Sequence, residues 1–237
     1  MNTLLAIVGP GRLGRSAAHI LKRDGHPHVL IGRHEPIPAA DITWLTVPDR
    51  EIESAAQAVP AGGIVLHASG ARTIEPLRPH RPAGSLHPLM TFPGPEMGLP
   101  EEPAIPAAIA GDSEAIEAAR TLSKMLGFTP FEVPGDRTLY HAAAVTSGNF
   151  ASLLMIEAGR MLTAAGVSDE HARSLIAPLA IASIKNAAAH GSFALTGPIA
   201  RGDEKVIAAH TEALENMDPE LATLYQALVQ ATRRLKR

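Results

Sequence analysis

Apolar residues fall in short, mostly unbroken runs through the first half of the chain: Leu4–Val8, Val29–Ile31, Thr43–Val47, Ile64–Ala68, Ala107–Ala110 and Thr129–Val133. Runs of this length predict strands, and near-continuous apolarity predicts burial on both faces. Between the runs lie stretches of helical spacing, such as Leu13, Ala17, Ile20 and Leu21, punctuated by Pro and Gly. Strand alternating with helix is the pattern of a mostly parallel sheet covered on both sides. The pattern changes from Asp136 onward. Tyr140–Ala165 reads as one long helix stopped by Gly166, and Ser168 caps a second that runs toward Ala189. Asp218-Pro219 opens a last helix with a good cap and a proline at the first helical position. The expected architecture is an α/β domain over residues 1–134 and an all-helical domain over 135–237. Arg78–Glu102, rich in Pro and Gly, is expected to be a loop region over the sheet edge.

Gly9-Pro10-Gly11-Arg12-Leu13-Gly14 is a G-x-G-x-x-G sequence set directly between the first strand and the first helical pattern. In that context the first glycine permits a tight turn, the second lets backbone approach a pyrophosphate, and the third packs helix on strand. The helix N-terminus adds amide donors and a positive dipole end. This context makes the domain Rossmann-like and predicts a bound dinucleotide. The alternative is a glycine turn in such a domain without its cofactor. The second strand ends Ile31-Gly32-Arg33-His34, with no acid before Glu35 to hold the ribose hydroxyls. Arg33, helped by Arg12, could clamp a 2′-phosphate, so NADP is expected over NAD. Arg33 as an ordinary solvated arginine is the competing reading. Only residues 32 to 42 separate Ile31 from the next strong strand. A crossover needs a dozen residues or more, so this second one is expected to be cut short.

Composition narrows the classes. Lys plus Arg is 21 against 24 Asp plus Glu, a net charge of -3, and aromatics are 3%. Neither a basic phosphate-binding surface nor a base-stacking platform is expected, so no nucleic-acid partner is predicted. With no cysteine there can be no disulfide, thiolate nucleophile or Cys-type metal site. No run approaches the roughly 18 apolar residues of a membrane helix, and no signal peptide is read at the start. The expected location is cytoplasmic.

Five segments carry a family resemblance: Asp41–Asp49 (DITWLTVPD), Leu66–Ala71 (LHASGA), Ser85–Phe92 (SLHPLMTF), His141–Phe150 (HAAAVTSGNF) and Thr196–Asp203 (TGPIARGD). In this order they resemble uncharacterised bacterial proteins that join a Rossmann-like NAD(P) domain to a helical C-terminal domain of unknown function. Those proteins are often labelled candidate NADP oxidoreductases. More distantly the layout is similar to pyrroline-5-carboxylate reductase, ketopantoate reductase, 6-phosphogluconate dehydrogenase and prephenate dehydrogenase. In that group a helical domain holds substrate and usually dimerises. The shortened crossover departs from the closer family. The resemblance implies a cofactor class and no particular substrate.

Hydride transfer at a C=O or C=N carbon needs a group to manage the proton on O or N. Tyr-x-x-x-Lys fails here, because Tyr140 is followed at that spacing by Ala144 and Tyr225 by Val229. Where the hydroxyacid and 6-phosphogluconate enzymes carry a lysine early in the helical domain, this chain has His141. Histidines suit proton transfer near neutral pH. His87-Pro88-Leu89-Met90 is similar to the His-Pro-Met segment of prephenate dehydrogenase, whose histidine contacts the reacting hydroxyl. His87 could equally be a loop histidine bonded to backbone. His141 and Asn149 lie about two turns apart on one helix face, with Ser147 nearby, as a substrate-facing stripe or a pair bonding across helices. Arg201 is a candidate carboxylate or phosphate clamp, while Asp203 reads as a helix cap. No histidine spacing supports a metal site.

The expected function is an NADP-dependent oxidoreductase acting on a small anionic substrate held between the domains. Val47, Pro48 and Ser69 would lie by the cofactor, with His87 or His141 as proton carrier, Asn149 beside them, and Ser147 and Arg201 on the substrate. A non-catalytic NADP-binding or sensor protein is the alternative. Helices apolar on more than one face predict a homodimer through the helical domain.

Overall fold

A computed structural model of the chain describes residues 3–100 and 104–235. It divides into two compact units, Met1–Asn149 and Phe150–Arg237.

The first unit is built on a seven-stranded sheet: β1 Leu5–Val8, β2 His28–Ile31, β3 Ile42–Leu45, β4 Ile64–His67, β5 Ala83–Pro88, β6 Ile105–Gly111 and β7 Phe128–Glu132. The spatial order is β2-β1-β3-β4-β5-β6-β7, and only the β5–β6 pair is antiparallel. Helices α1 (Arg12–Arg23), α2 (Ile52–Gln57) and α3 (Ser113–Met125) cover it. Successive strand residues go to opposite faces. Leu5, Ile7, Ile42, Trp44 and Leu66 meet α1 and α3, whereas Val8, Leu45 and Val65 meet Ile52 and Ala56 of α2. Both faces are thus buried, as the continuous apolar runs require. The α/β reading with a Rossmann-like sheet and a helical C-terminal part holds.

Residues 32–41 contain neither helix nor strand, so the second crossover is short as expected. The strand order reverses at β1, which pairs in parallel with β2 on one side and β3 on the other. Crevices outside the carboxyl ends of strands form at such a switch point.

One expectation is corrected. Arg78–Glu102 is not only loop: Ala83–Pro88 is the interior strand β5, paired with β4 on one side and β6 on the other. Gly84, Ser85 and Pro88 have weak strand preference, so tertiary pairing decides the state of this segment. Gly84 is needed there, since a Cβ would lie 2.7 Å from the Ala110 carbonyl oxygen and 2.9 Å from Ala115 Cβ.

Asp136 caps α4 (Arg137–Val145), accepting from the Thr138 amide at 2.7 Å. α4 runs through a π-helical segment, Thr146–Phe150, into α5 (Ala151–Ala164). Where one uniform helix was expected over Tyr140–Ala165, residues 140–145 lie in α4, and α4 belongs to the sheet unit. The expected boundary at 134/135 and the unit border after Asn149 differ by this element. The second unit continues with α6 (Asp169–His190), α7 (Gly197–Arg201), α8 (Glu204–Met217) and α9 (Pro219–Leu235). Its small core gathers Leu214, Leu221 and Ala222, with Met161 and Tyr225 packed against them. No helix of the described residues is long and apolar enough to cross a membrane.

Candidate functional site

β1 delivers the chain into the glycine loop with Gly9 at φ +109, where a side chain would be strained. A Cβ there would also lie 3.0 Å from the Thr46 carbonyl and from Val47 Cγ1. At Gly14 a Cβ would run into the Gly9 carbonyl oxygen and stand 2.7 Å from Thr46 Oγ1. That hydroxyl donates to the Gly9 carbonyl at 2.8 Å and closes the turn. Gly11 is different, with no heavy atom within 4 Å of its Cβ position. The first and third glycines are therefore fixed by packing, while the second faces open space. Gly11 is also the N-cap of α1 and supplies no side-chain cap, which leaves first-turn amides for a ligand.

Gly9, Pro10 and Gly11 form one wall of a cavity of about 530 Å³, and Arg33, Val47 and Pro48 line it too. Arg12, Leu13 and Gly14 form the first turn of α1 behind the loop, with Leu13 packed against the core. The residues present fit a dinucleotide pyrophosphate at Gly11. The far end is electrically mixed. Arg33 Nη2 stands 3.3 Å from Glu51 Oε1 with its side chain 72% exposed, and Glu35 accepts from the Gly32 amide at 2.5 Å. Glu35 and Glu51 therefore share the cavity with Arg33. The acid absent from the end of β2 in sequence reaches it by a fold-back of three residues.

Ser69 lies in the turn after β4 and is not among the residues lining that cavity. Its hydroxyl donates to Asp49 at 2.8 Å and accepts from the Arg72 amide at 3.0 Å. It joins the loop after Pro48 to the turn that carries Gly70. His67 pins the same turn from below: its Nδ1 accepts from the Ser69 amide, so its Nε2–H donates to the Thr73 carbonyl at 3.0 Å. Burial holds the His67 pKa at about 4.

A second pocket, of about 270 Å³, opens where β5 ends. The structure brings His87, His141, Ser147 and Asn149 together in its lining. The two imidazole centroids lie 6.1 Å apart at 72°. Gly70 sits against both rings: a Cβ there would lie 2.8 Å from His141 Cδ2 and 2.9 Å from His87 Nε2. His87 Nδ1 is bonded to the Tyr140 hydroxyl at 2.7 Å. The His87 pKa is depressed to about 4, chiefly by burial, then by the charges of His141 and Arg137. The imidazole is neutral at pH 7, a hydrogen-bond donor or a base and not a cation. Burial also raises the Tyr140 pKa, keeping the phenol protonated. Arg137 Nη2 donates to the Ser69 carbonyl at 3.2 Å, while its Nε and Nη1 are buried without partners. Desolvation lowers the Arg137 pKa, yet a guanidinium stays charged.

Sequence reasoning missed Tyr140 and Arg137. The Tyr-x-x-x-Lys test removed Tyr140 from view, but Arg137, Tyr140, His141 and Ala144 stand at helical spacing and share the face of α4 turned to β5. Arg201, by contrast, belongs to the helical unit, as the last residue of α7 before the left-handed Gly202. Asp203 caps α8 through the Val206 amide. Among the described residues no group of three His, Asp or Glu side chains is arranged to hold a metal.

The fold has solved relatives. A candidate NADP oxidoreductase of Bacteroides fragilis aligns at a TM-score of 0.82 with 20% identity, over 98% of each chain. A protein of Thermotoga maritima aligns at 0.73 with 23% identity, again over 98% of both. A reductive aminase of Aspergillus terreus, in complex with NADPH and ethyl levulinate, aligns at 0.66 with 18% identity, over 99% of this chain and 94% of the other. At these identities the likeness is one of fold. No curated protein sequence matches. Residues 105–232, from β6 through most of α9, match the family model of a domain of unknown function, DUF2520. That is more than half of the 237 residues, and the chain belongs to this family.

Proposed function

We propose that this chain is an NADP-dependent oxidoreductase that moves hydride to or from a C=O or C=N carbon of a small anionic substrate. The observation that carries the reading is one of placement. A glycine cradle with an open second position lies at the carboxyl end of β1, and a pocket walled by His87 and His141 lies at the carboxyl end of β5, on the same edge of one sheet with β3 and β4 between them. Asp49–Ser69 and Gly70 link them. Solved relatives named for NADP oxidoreduction or bound to NADPH support the cofactor class.

When bound, NADP(H) supplies or takes the hydride at its nicotinamide carbon. The Gly9–Gly14 loop and the first turn of α1 would hold the pyrophosphate, and Arg33 would meet the 2′-phosphate. His87, neutral and facing Gly70, donates a hydrogen bond to the carbonyl oxygen or imine nitrogen. In the reducing direction the heteroatom would take a proton at the position His87 faces. His141 and Asn149 orient the substrate from α4 and the segment after it. The pocket lining carries no acidic side chain, and the Arg137 guanidinium behind it leaves positive potential there, which favours an anion.

Titration with NADPH and NADH, followed by a turnover screen over small oxo- and imino-acids, tests the reading. Tight NADPH binding with turnover is expected. Binding with no turnover of any substrate favours a sensor, the reading to which the helix-free crossover lends weight. Failure to bind either nucleotide defeats both. We also propose a homodimer formed through the helical unit, in the cytoplasm.

A further inference from the structure

A neutral imidazole is a weak acid, so His87 alone is a poor source for the proton that a reduced heteroatom needs. Its environment offers a remedy. Tyr140 packs edge-on against the His87 ring, with centroids 5.6 Å apart at 89°, and rests on Phe131 at 6.1 Å. Among the described residues the phenolic oxygen has one hydrogen-bond partner, His87 Nδ1 at 2.7 Å. If Nδ1 carried the proton, the phenol's own hydrogen would have no acceptor in a half-buried site, a costly arrangement. The O–H therefore donates, Nδ1 accepts, and the ring proton belongs on Nε2 beside Gly70.

We propose that Tyr140 is a positioning residue that acts through His87: its hydroxyl fixes the Nε2–H tautomer and replaces the proton that Nε2 gives up. This rests on the oxidoreductase reading for its use but not for its detection. In the reducing direction the Nε2–H bond breaks as the substrate heteroatom takes the proton. Nδ1 meanwhile takes the hydrogen of Tyr140, leaving the other imidazole tautomer and a phenolate. Hydride and proton together reduce the carbon, and solvent later restores the phenol. Arg137, whose charge acts on Tyr140, stabilises that phenolate from one turn earlier on α4. The other charged or titratable groups around His87 are His141, His67 and Asp49.

Nitrogen-15 histidine NMR on the full chain at pH 7 tests this without a substrate, the His87 signals being assigned by their loss in His87→Gln. Wild type should show the Nε2–H tautomer at His87, with a Tyr140 hydroxyl proton coupled to Nδ1. Tyr140→Phe keeps the ring packing and removes the hydroxyl, and should shift the tautomer ratio toward Nδ1–H by about tenfold, the worth of one hydrogen bond. NADPH affinity should stay within about threefold. An Nδ1–H tautomer in wild type, or an unchanged ratio in Tyr140→Phe, overturns the proposal. The wild-type spectrum decides even if the variant folds poorly. A chain that shows the expected tautomer but binds no NADPH leaves this assignment standing and removes the reading it serves.

Discussion

The two units spend their apolar residues in opposite ways. In the first, strands and helices close over each other, and Ile7, Trp44, Leu45, Leu66 and Ile109 are wholly buried. In the second, only a few side chains such as Leu214, Leu221 and Val229 are buried. Apart from Met97 and Leu139, every large hydrophobic exposed among the described residues lies between Phe150 and Leu235. α6 shows why. Apolar residues occur all round it, Leu175, Leu179, Ile181 and Ile184 are each more than half exposed, and Ala172 alone is buried. A helix apolar on all sides belongs inside something. The first unit closes its own core and the second leaves much of its apolar surface open, and the proposed homodimer would cover that surface through a closed symmetric interface.

The strongest way to break this contrast is to charge the open face. Leu175→Glu with Leu179→Glu should convert a particle of twice 24.9 kDa into one of 24.9 kDa by light scattering. Desolvating carboxylates at an apolar interface costs several kcal/mol each, so the dimer Kd should rise roughly a thousandfold. A wild-type mass of 24.9 kDa across micromolar concentrations would refute the dimer.

Within the finished core, the glycines separate fold from function. Gly14→Ala forces a methyl onto the Gly9 carbonyl and Thr46 and should cost about 3 kcal/mol, read as a drop of several degrees or more in Tm. Gly11→Ala meets nothing in the chain and should leave Tm within about two degrees, yet weaken NADPH binding at least tenfold. Equal NADPH affinity in Gly11→Ala and wild type would mean that the open position is not where the pyrophosphate sits.

Next comes pH. His67 and His87 have folded pKa values of about 4, against an ordinary value of 6.5. Between those values the unfolded chain binds more protons than the folded one, so stability falls as pH drops from 6.5 toward 4 and is flat above. Each contributes on the order of 3 kcal/mol across that window. Urea melts at pH 7 and pH 5 should show the loss, and His87→Asn should remove part of it. An unaltered pH slope in that variant would count against a buried neutral His87.

The smallest effect is at the edge of the cavity. Arg33 is exposed and shared with Glu51, so Arg33→Ala should reduce the preference for NADPH over NADH by about tenfold. Equal affinities for the two cofactors in wild type would remove the basis for NADP.

What could be read in advance follows the same division. β1, the glycine loop and α1 were legible because short-range rules govern them: an apolar run, a turn that only glycine fits, and a helical repeat. β5 was not, because Gly84, Ser85 and Pro88 become a strand only between two partners that lie far along the chain. His87 was singled out from its segment, and the structure places it in a pocket with His141, Ser147 and Asn149. Tyr140 went unseen as its partner, since a hydrogen bond spanning 53 positions has no local signature. Arg137 was hidden for the same reason, its bond to Ser69 crossing 68 positions.

The helix-free stretch between β2 and β3 has a consequence in hydrogen exchange. Residues 32–41 hold little backbone bonding of their own, chiefly Glu35 to Gly32 at 3.4 Å, and they form a wall of the larger cavity. Such a segment opens by local fluctuation at a free energy far below that of global unfolding. Its amides should exchange early while those of β1 and β3 stay protected. A nucleotide that closes on this wall would be recorded first as slowed exchange at Arg33, His34 and Ile37, before any rise in the melting temperature of the sheet.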